Sequence, residues 1–310
     1  SDQADRAGLS LASVDPLGRC AAVMGTDDQI LIIPFRQSNM GLGNVSTEED
    51  SEIGLAMPQT LKPSASSLVL EPYVISLSSK QLAGSVKDMT FLHGYFEPTL
   101  LILQEEPIQT WTGGLSTVSN TSKLVALSIN LFQRHHPSIW NFQGLPYDSI
   151  SVVAVPDPVG GVLVISSSAL LYFNQNHRCG VATNGYATVT VDKKVCPVRP
   201  NEKRYRLVLN PQTQCCFVNS RCALLTADTG DIYCLHLETR TNSVTNMAVK
   251  RTGANASIAS AMSHWSLSNG RTDEDEANGA GIVFLGSWLG DSSLWLCSFT
   301  EDAGDNLVKD

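Results

Sequence analysis

Apolar and polar positions along the chain follow a strand pattern rather than a helical one. A short apolar run, a turn of Gly, Asp or Ser, and a second apolar run recur together as one unit. The unit occurs at Ala21–Met24, Gly25–Asp28 and Ile30–Phe35, and again at Val162–Ile165, Ser166–Ser168 and Ala169–Phe173. It returns at Leu224–Thr226, Ala227–Asp231 and Ile232–Leu235, and at Ile282–Leu285, Gly286–Ser293 and Leu294–Phe299. A fifth, less regular copy joins Met89–Leu92 to Thr99–Leu103 through a turn carrying Gly94 and Pro98, with Leu124–Leu131 as its expected partner strand. Runs this short, bounded by turn formers, predict antiparallel hairpins, and helical periodicity is almost absent.

Placed by their leading turns, at Gly18, Pro98, Gly160, Ser220 and Gly279, the last four units stand about 60 residues apart. Repeats of ~40–50 residues with four strands each are propeller blades, and longer periods mean blades with long loops. A blade buries both faces against its neighbours, so its strands are apolar throughout instead of alternating. The expected fold class is all-β, a WD40-like β-propeller. It is expected to be incomplete, with about five blade-equivalents of a seven-bladed propeller. Residues 1–310 then form one partial propeller, and the missing blades together with the start at Ser1 suggest an excised piece. Residues 37–67, rich in Ser, Gly and Pro with the acidic run Glu48–Asp50, are expected to be a mobile insertion, and the tail from 302 to be frayed.

Composition narrows the function. Hydrophobic residues make up 43% of the 310, enough for a sizeable core, and charged residues only 16%, well below the usual ~25%. The longest apolar runs, such as Ile30–Ile33 and Val162–Ile165, are far short of the ~20 residues that cross a bilayer as a helix. A net charge of −9 is opposite in sign to a surface that grips phosphates. One local exception is Lys193, Lys194, Arg199, Lys203, Arg204 and Arg206, read as a solvated loop or as a docking site for an acidic partner or a phosphate backbone. Asp273–Glu276, four carboxylates in a row, is a solvated loop or a lure for a basic partner.

The eight cysteines are expected to be reduced, buried thiols of a cytosolic or nuclear protein, since a chain this long needs no disulfide staples. Adjacent Cys215 and Cys216 point to opposite faces of a strand. The tightest hairpin around Asn219–Ser220 sets Cys216 opposite Ala223 and Cys222 opposite Phe217. There is no Cys-x-x-Cys, no phosphate-cradling Gly-x-x-x-x-Gly-Lys-Ser/Thr, no Gly-x-Ser-x-Gly and no His-Glu-x-x-His. Gly160–Gly161 lies between strands and is turn chemistry. His135 and His136 splay apart with no carboxylate nearby, and His264–Trp265 is read as blade packing rather than an aromatic binding patch. No catalytic residue, metal ligand or cofactor site is assigned, so a non-catalytic protein without a cofactor is expected.

Several segments resemble the largest subunit of the cleavage and polyadenylation specificity factor. They are Asp15–Ala22 (Asp-Pro-Leu-Gly-Arg-Cys-Ala-Ala), Ile30–Arg36, Phe91–Leu103 (Phe-Leu-His-Gly-Tyr-Phe-Glu-Pro-Thr-Leu-Leu-Ile-Leu), Val125–Asn130, His136–Trp140, Val155–Val162 leading into Leu170–Tyr172, and Phe284–Gly290. They stand in the family's order and span nearly the whole chain. The most specific stretch supplies the structural family motif Phe91, Leu92, His93, Gly94, Tyr95, Glu97 and Pro98: Phe91 and Leu100–Leu103 as core strands, Gly94 for a tight turn, Pro98 to stiffen entry to the next strand. Gln37–Ser67, Arg178–Pro200 and Asp273–Glu276 diverge from the family.

The resemblance implies a protein of three seven-bladed propellers and a helical C-terminal domain, with this chain forming most of the first propeller. It implies a nuclear scaffold of the complex that recognises the AAUAAA signal in pre-mRNA. Its implied partners are a WD-repeat subunit and a zinc-finger subunit, which make most of the direct RNA contacts, so pre-mRNA is met indirectly or weakly. No partner-binding residue can be carried over. Two alternatives stay open: a related triple-propeller scaffold of the spliceosome's branch-site particle or of a damaged-DNA ubiquitin ligase, and a propeller enzyme with ionisable groups gathered at one end of its channel.

Overall fold

The computed structural model describes residues 11–25, 28–36, 69–77, 84–106, 120–201, 207–240, 243–266, 280–298 and 306–309. The chain divides into two compact units, Ser1–Lys80 and Gln81–Asp310. In the first unit, β1 (Ala12–Val14), β2 (Cys20–Met24), β3 (Gln29–Pro34) and β4 (Tyr73–Ser76) form an antiparallel meander in that order. The β1–β2 turn explains its sequence. Gly18 takes φ +64°, a region open to glycine. The buried Asp15 carboxylate accepts two bonds from the Arg19 guanidinium, at 2.7 and 2.8 Å, and two from the backbone N–H groups of Leu17 and Arg19. A bidentate pair of this kind fixes the turn geometrically.

The second unit holds four sheets. The first is β5 (Ser85–Leu92), β6 (Thr99–Glu105), β7 (Ser122–Ser128) and β8 (Ser138–Leu145). Next come β9 (Ser149–Ala154), β10 (Val162–Ser166), β11 (Ala169–Phe173) and β12 (Arg178–Ala182). After the one-turn helix α1 (Ala187–Thr190), β13 (Val198–Pro200) adds to that sheet parallel to β12. The third sheet is β14 (Cys215–Phe217), β15 (Cys222–Thr226), β16 (Asp231–Arg240) and β17 (Ser243–Asn255). The fourth is β18 (Ala261–Ser266), β19 (Ala280–Gly286), β20 (Ser293–Ser298) and β21 (Asn306–Lys309).

These four sheets pack face on face with a separate core between each pair. Leu163, Ile165, Leu170 and Tyr172 of the β9–β13 sheet meet Ala223, Leu225, Tyr233 and Leu235 of the β14–β17 sheet. The opposite face of the same strands, Val162, Val164, Leu171 and Phe173, meets Leu101, Leu103, Leu124 and Trp140 of the β5–β8 sheet. Likewise Cys222, Leu224, Ile232 and Cys234 meet Val283, Leu285, Trp295 and Cys297 of the β18–β21 sheet. Each fully buried Leu, Val or Phe contributes roughly 1.5–3 kcal/mol of transfer free energy. Polar ties cross between sheets too: the Asp88 carboxylate accepts the Val152 N–H at 2.8 Å, and the Asn201 amide exchanges bonds with the Val249 backbone.

The fold is therefore all-β with five blade-like sheets, as the spacing of the hairpins predicts. Four of the five predicted units are the middle strands of their sheets: β2–β3, β10–β11, β15–β16 and β19–β20. The fifth is β5–β6, whose partner β7 runs Ser122–Ser128 in place of Leu124–Leu131.

Two expectations need correction. The hairpin between β14 and β15 is one residue out of the predicted register, pairing Cys216 with Leu224 and Phe217 with Ala223. Its loop is set by the Asn219 side chain, whose Oδ1 accepts the N–H groups of Arg221 at 2.9 Å and Cys222 at 2.6 Å. On its other side β15 pairs with β16 through the Ala227–Asp231 turn, and Cys222 lies opposite His236. The tail is not frayed throughout, because Asn306–Lys309 pairs with Trp295–Ser298 as an edge strand. Backbone hydrogen bonds supply that pairing whatever the side chains. The insertion expected at 37–67 and the run Asp273–Glu276 lie outside the described residues.

Candidate interaction surfaces

The family motif forms the end of β5 and the loop into β6. Phe91, Leu92 and Pro98 are buried, His93, Tyr95 and Glu97 half-buried, and Gly94 exposed. Gly94 sits at φ +79°, a region that favours glycine, and a Cβ there would press on Asp157 Oδ1 at 2.9 Å. Tyr95 Oη accepts the Trp140 indole N–H at 2.9 Å. The Glu97 carboxylate accepts the Ser128 hydroxyl and, at 2.8 Å, the Asn130 amide, while the Pro98 carbonyl accepts the Ile129 N–H at 2.8 Å. Glu97 therefore ties the β5–β6 loop to the loop that leaves β7. This tie holds two aromatic rings outward: Phe96, 98% exposed, and Phe132, 77% exposed. Sequence reasoning singled out every motif residue except Phe96. No local signal marked it, because Glu97 beside it reaches Ser128 and Asn130, which lie more than 30 residues on.

A second surface lies on the β18–β21 sheet. Trp265, Phe284, Leu294 and Leu296 share its open face and are exposed, whereas His264, Val283 and Trp295 face the core. The expected blade packing of Trp265 is thus corrected: in a strand, neighbours point to opposite sides, and here His264 takes the inner one. Burial lowers the His264 pKa below its ordinary value. The β19–β20 turn presents Trp288 and Leu289 to solvent. Ser287 fixes it by donating its hydroxyl to the Ile258 carbonyl at 2.7 Å and accepting the Leu289 N–H at 3.2 Å. Beside it, Phe284, Leu294, Ser257 and Asp291 line an open depression of about 440 Å³.

Other predicted features fall as follows. His135 is exposed and His136 buried. Lys193, Lys194 and Arg199 are exposed in and after a turn, and Lys203, Arg204 and Arg206 lie outside the described residues. Gly160 and Gly161 adopt positive φ before β10, as turn glycines do. All eight cysteines are free thiols. Burial pushes the Cys20, Cys196, Cys216 and Cys297 thiols up to about 12 and Cys179 to about 11. A thiol held that high stays protonated at neutral pH and is a poor nucleophile. Sequence reasoning assigned no metal ligand, yet Cys222, Cys234 and His236 converge in the β15–β16 hairpin. The Cys-x-His spacing on one strand was the legible half of that cluster, and the register supplied the rest.

Residues 8–307 match the family model described as RSE1/DDB1/CPSF1 first beta-propeller. The chain is 33% identical over 284 residues to cleavage and polyadenylation specificity factor subunit 1 of Arabidopsis thaliana, covering 92% of this chain and 18% of that protein. It is 34% identical over 231 residues to the subunit of the same name in Drosophila melanogaster, covering 72% and 15%. Protein cft1 of Schizosaccharomyces pombe is 32% identical over 183 residues, covering 58% and 12%. The chain spans 12–18% of the length of these relatives. Antiparallel sheets packed on apolar cores, and a family match over residues 8–307, lead to one conclusion: the chain belongs to the RSE1/DDB1/CPSF1 first β-propeller family.

Proposed function

We propose that this chain is a non-catalytic platform within the large scaffold subunit of the nuclear pre-mRNA 3′-end cleavage and polyadenylation complex. There it organises the subunits that recognise the AAUAAA signal. The observation that carries the proposal is the 33–34% identity to two subunits named for that factor, over 92% and 72% of the chain. The architecture supports it: apolar cores join the four sheets of the second unit, and exposed aromatics such as Phe96 and Trp288 are the side chains that anchor protein interfaces. The partners are protein subunits, a WD-repeat and a zinc-finger subunit, and pre-mRNA is reached through them. The net charge of −9 favours that indirect route, because binding to a phosphate backbone draws its affinity from Lys and Arg.

Affinity purification of the full-length protein from nuclear extract tests the proposal. Polyadenylation subunits should co-purify in stoichiometric amounts. Recovery of splicing or cullin-ligase subunits in their place overturns it in favour of another branch of the same family.

A further inference from the structure

Two strands of the third sheet in the second unit bring soft ligands together. Cys222 on β15 lies directly opposite His236 on β16, and Cys234, two residues before His236, projects from the same face. Cys222 Sγ is 2.8 Å from Cys234 Sγ, Cys234 Sγ is 3.4 Å from His236 Nε2, and the three donor atoms all lie within 4.8 Å of one another. Cys222 and Cys234 are buried and His236 is half-exposed, so the cluster is dry on one side and reachable on the other.

We propose that Cys222, Cys234 and His236 form a structural zinc site in the β15–β16 hairpin. Tetrahedral zinc, with Zn–S near 2.3 Å and Zn–N near 2.0–2.1 Å, sets a sulfur and a nitrogen about 3.5 Å apart and two sulfurs about 3.8 Å apart. The Cys234–His236 separation already has that value. The two sulfurs stand closer than non-bonded contact and well beyond the ~2.05 Å of a disulfide; a cation between them requires them to part by about 1 Å. Thiolate and imidazole select zinc over magnesium or calcium, which take oxygen ligands. Cys297 of the facing sheet belongs to the same buried cluster as both cysteines but is not among the three converging ligands, so the fourth position is left to it or to water. A metal here joins adjacent strands at the seam between the β14–β17 and β18–β21 sheets, so it acts as a staple.

The test uses the full-length protein, purified under reducing conditions without chelator. Elemental mass spectrometry should find one zinc equivalent more in the wild type than in Cys234→Ser. Cobalt exchanged into the wild type should give a thiolate-to-cobalt band in the near ultraviolet. The part of that band owed to this site should vanish in Cys234→Ser and His236→Ala but persist in His236→Cys, which keeps a ligand. His236 is half-exposed, so its variants fold even if Cys234→Ser does not. Equal metal content in the wild type and the His236→Ala protein overturns the proposal. So does a Cys222–Cys234 disulfide found in peptides mapped without reductant from freshly purified protein.

Discussion

The β9–β13 and β18–β21 sheets carry central strands of the same apolar character but live in different surroundings. In β10 and β11 every residue is buried, because one face packs on the β5–β8 sheet and the other on the β14–β17 sheet. In β19 and β20 burial alternates: Val283, Leu285, Trp295 and Cys297 are covered while Phe284, Leu294 and Leu296 are exposed. A continuous apolar run therefore marks a strand built to be covered twice. Whether both covers are present is decided by what lies on either side. An apolar sheet face left open is a place where further protein surface can be buried at a gain of ~25 cal/mol per Å².

The largest test sets a charge on each kind of face. Leu171→Asp, in a strand with no exposed residue, buries an unpaired carboxylate at a cost of several kcal/mol. The expected result is loss of soluble folded protein, read by circular dichroism. Leu294→Asp, at a site 56% exposed, should cost about 1 kcal/mol or less in the same thermal melt. Equal losses would break the distinction between the two sheets.

A milder test adds one methyl group. At Gly180 in β12 a Cβ would meet Val198 Cγ2 at 2.8 Å and Leu171 Cδ2 at 2.9 Å, both in the covered core. Gly180→Ala should lower stability by ~1–3 kcal/mol through overpacking. At Gly286 the nearest atom, 3.2 Å away, belongs to the Phe284 ring on the open face. That ring can swing into solvent, and Gly286→Ala should leave the denaturant midpoint unchanged or slightly raised.

The covered side of the β18–β21 sheet can be tested by pH. Burial holds His264 below its ordinary 6.5, so beneath 6.5 the unfolded chain binds more protons than the folded one. Stability should accordingly fall as the pH drops from 6.5 toward the lower folded pKa, and level off beneath it. His264→Phe should flatten that part of the profile in urea titrations run across it. The smallest effect is expected on the open side, where Trp265→Ser at a 74% exposed site should move the melting temperature by no more than the equivalent of ~0.5 kcal/mol. It should also reduce binding of a hydrophobic fluorescent dye. A clear drop in melting temperature would show that Trp265 packs after all.

What could be read from residue order follows burial. Four of the five hairpins recognised in advance, β2–β3, β10–β11, β15–β16 and β19–β20, are inner strands with short continuous apolar runs, while the fifth, β5–β6, includes the edge strand β5. The strands passed over include β1, β8, β13 and β18, which lie at sheet edges and mix polar with apolar residues. Edge pairing rests on backbone groups that every residue carries, so composition marks it weakly. The candidate surfaces divide the same way. Gly94 and Pro98 announce the motif loop, but the outward placement of Phe96 depends on Glu97 reaching Ser128 and Asn130, more than 30 residues on.

The order of residues by itself determined an all-β chain of repeated hairpins, the turn glycines, and a family kinship that runs through its core strands. These are local choices of strand, turn and apolarity, and each is made within a few residues. Tertiary structure alone decided which face of each strand is covered and which thiol meets which imidazole. Cys222 meets His236 because β15 and β16 pair in the register set across the Ala227–Asp231 turn, and a one-residue slip there would exchange the two faces of a strand.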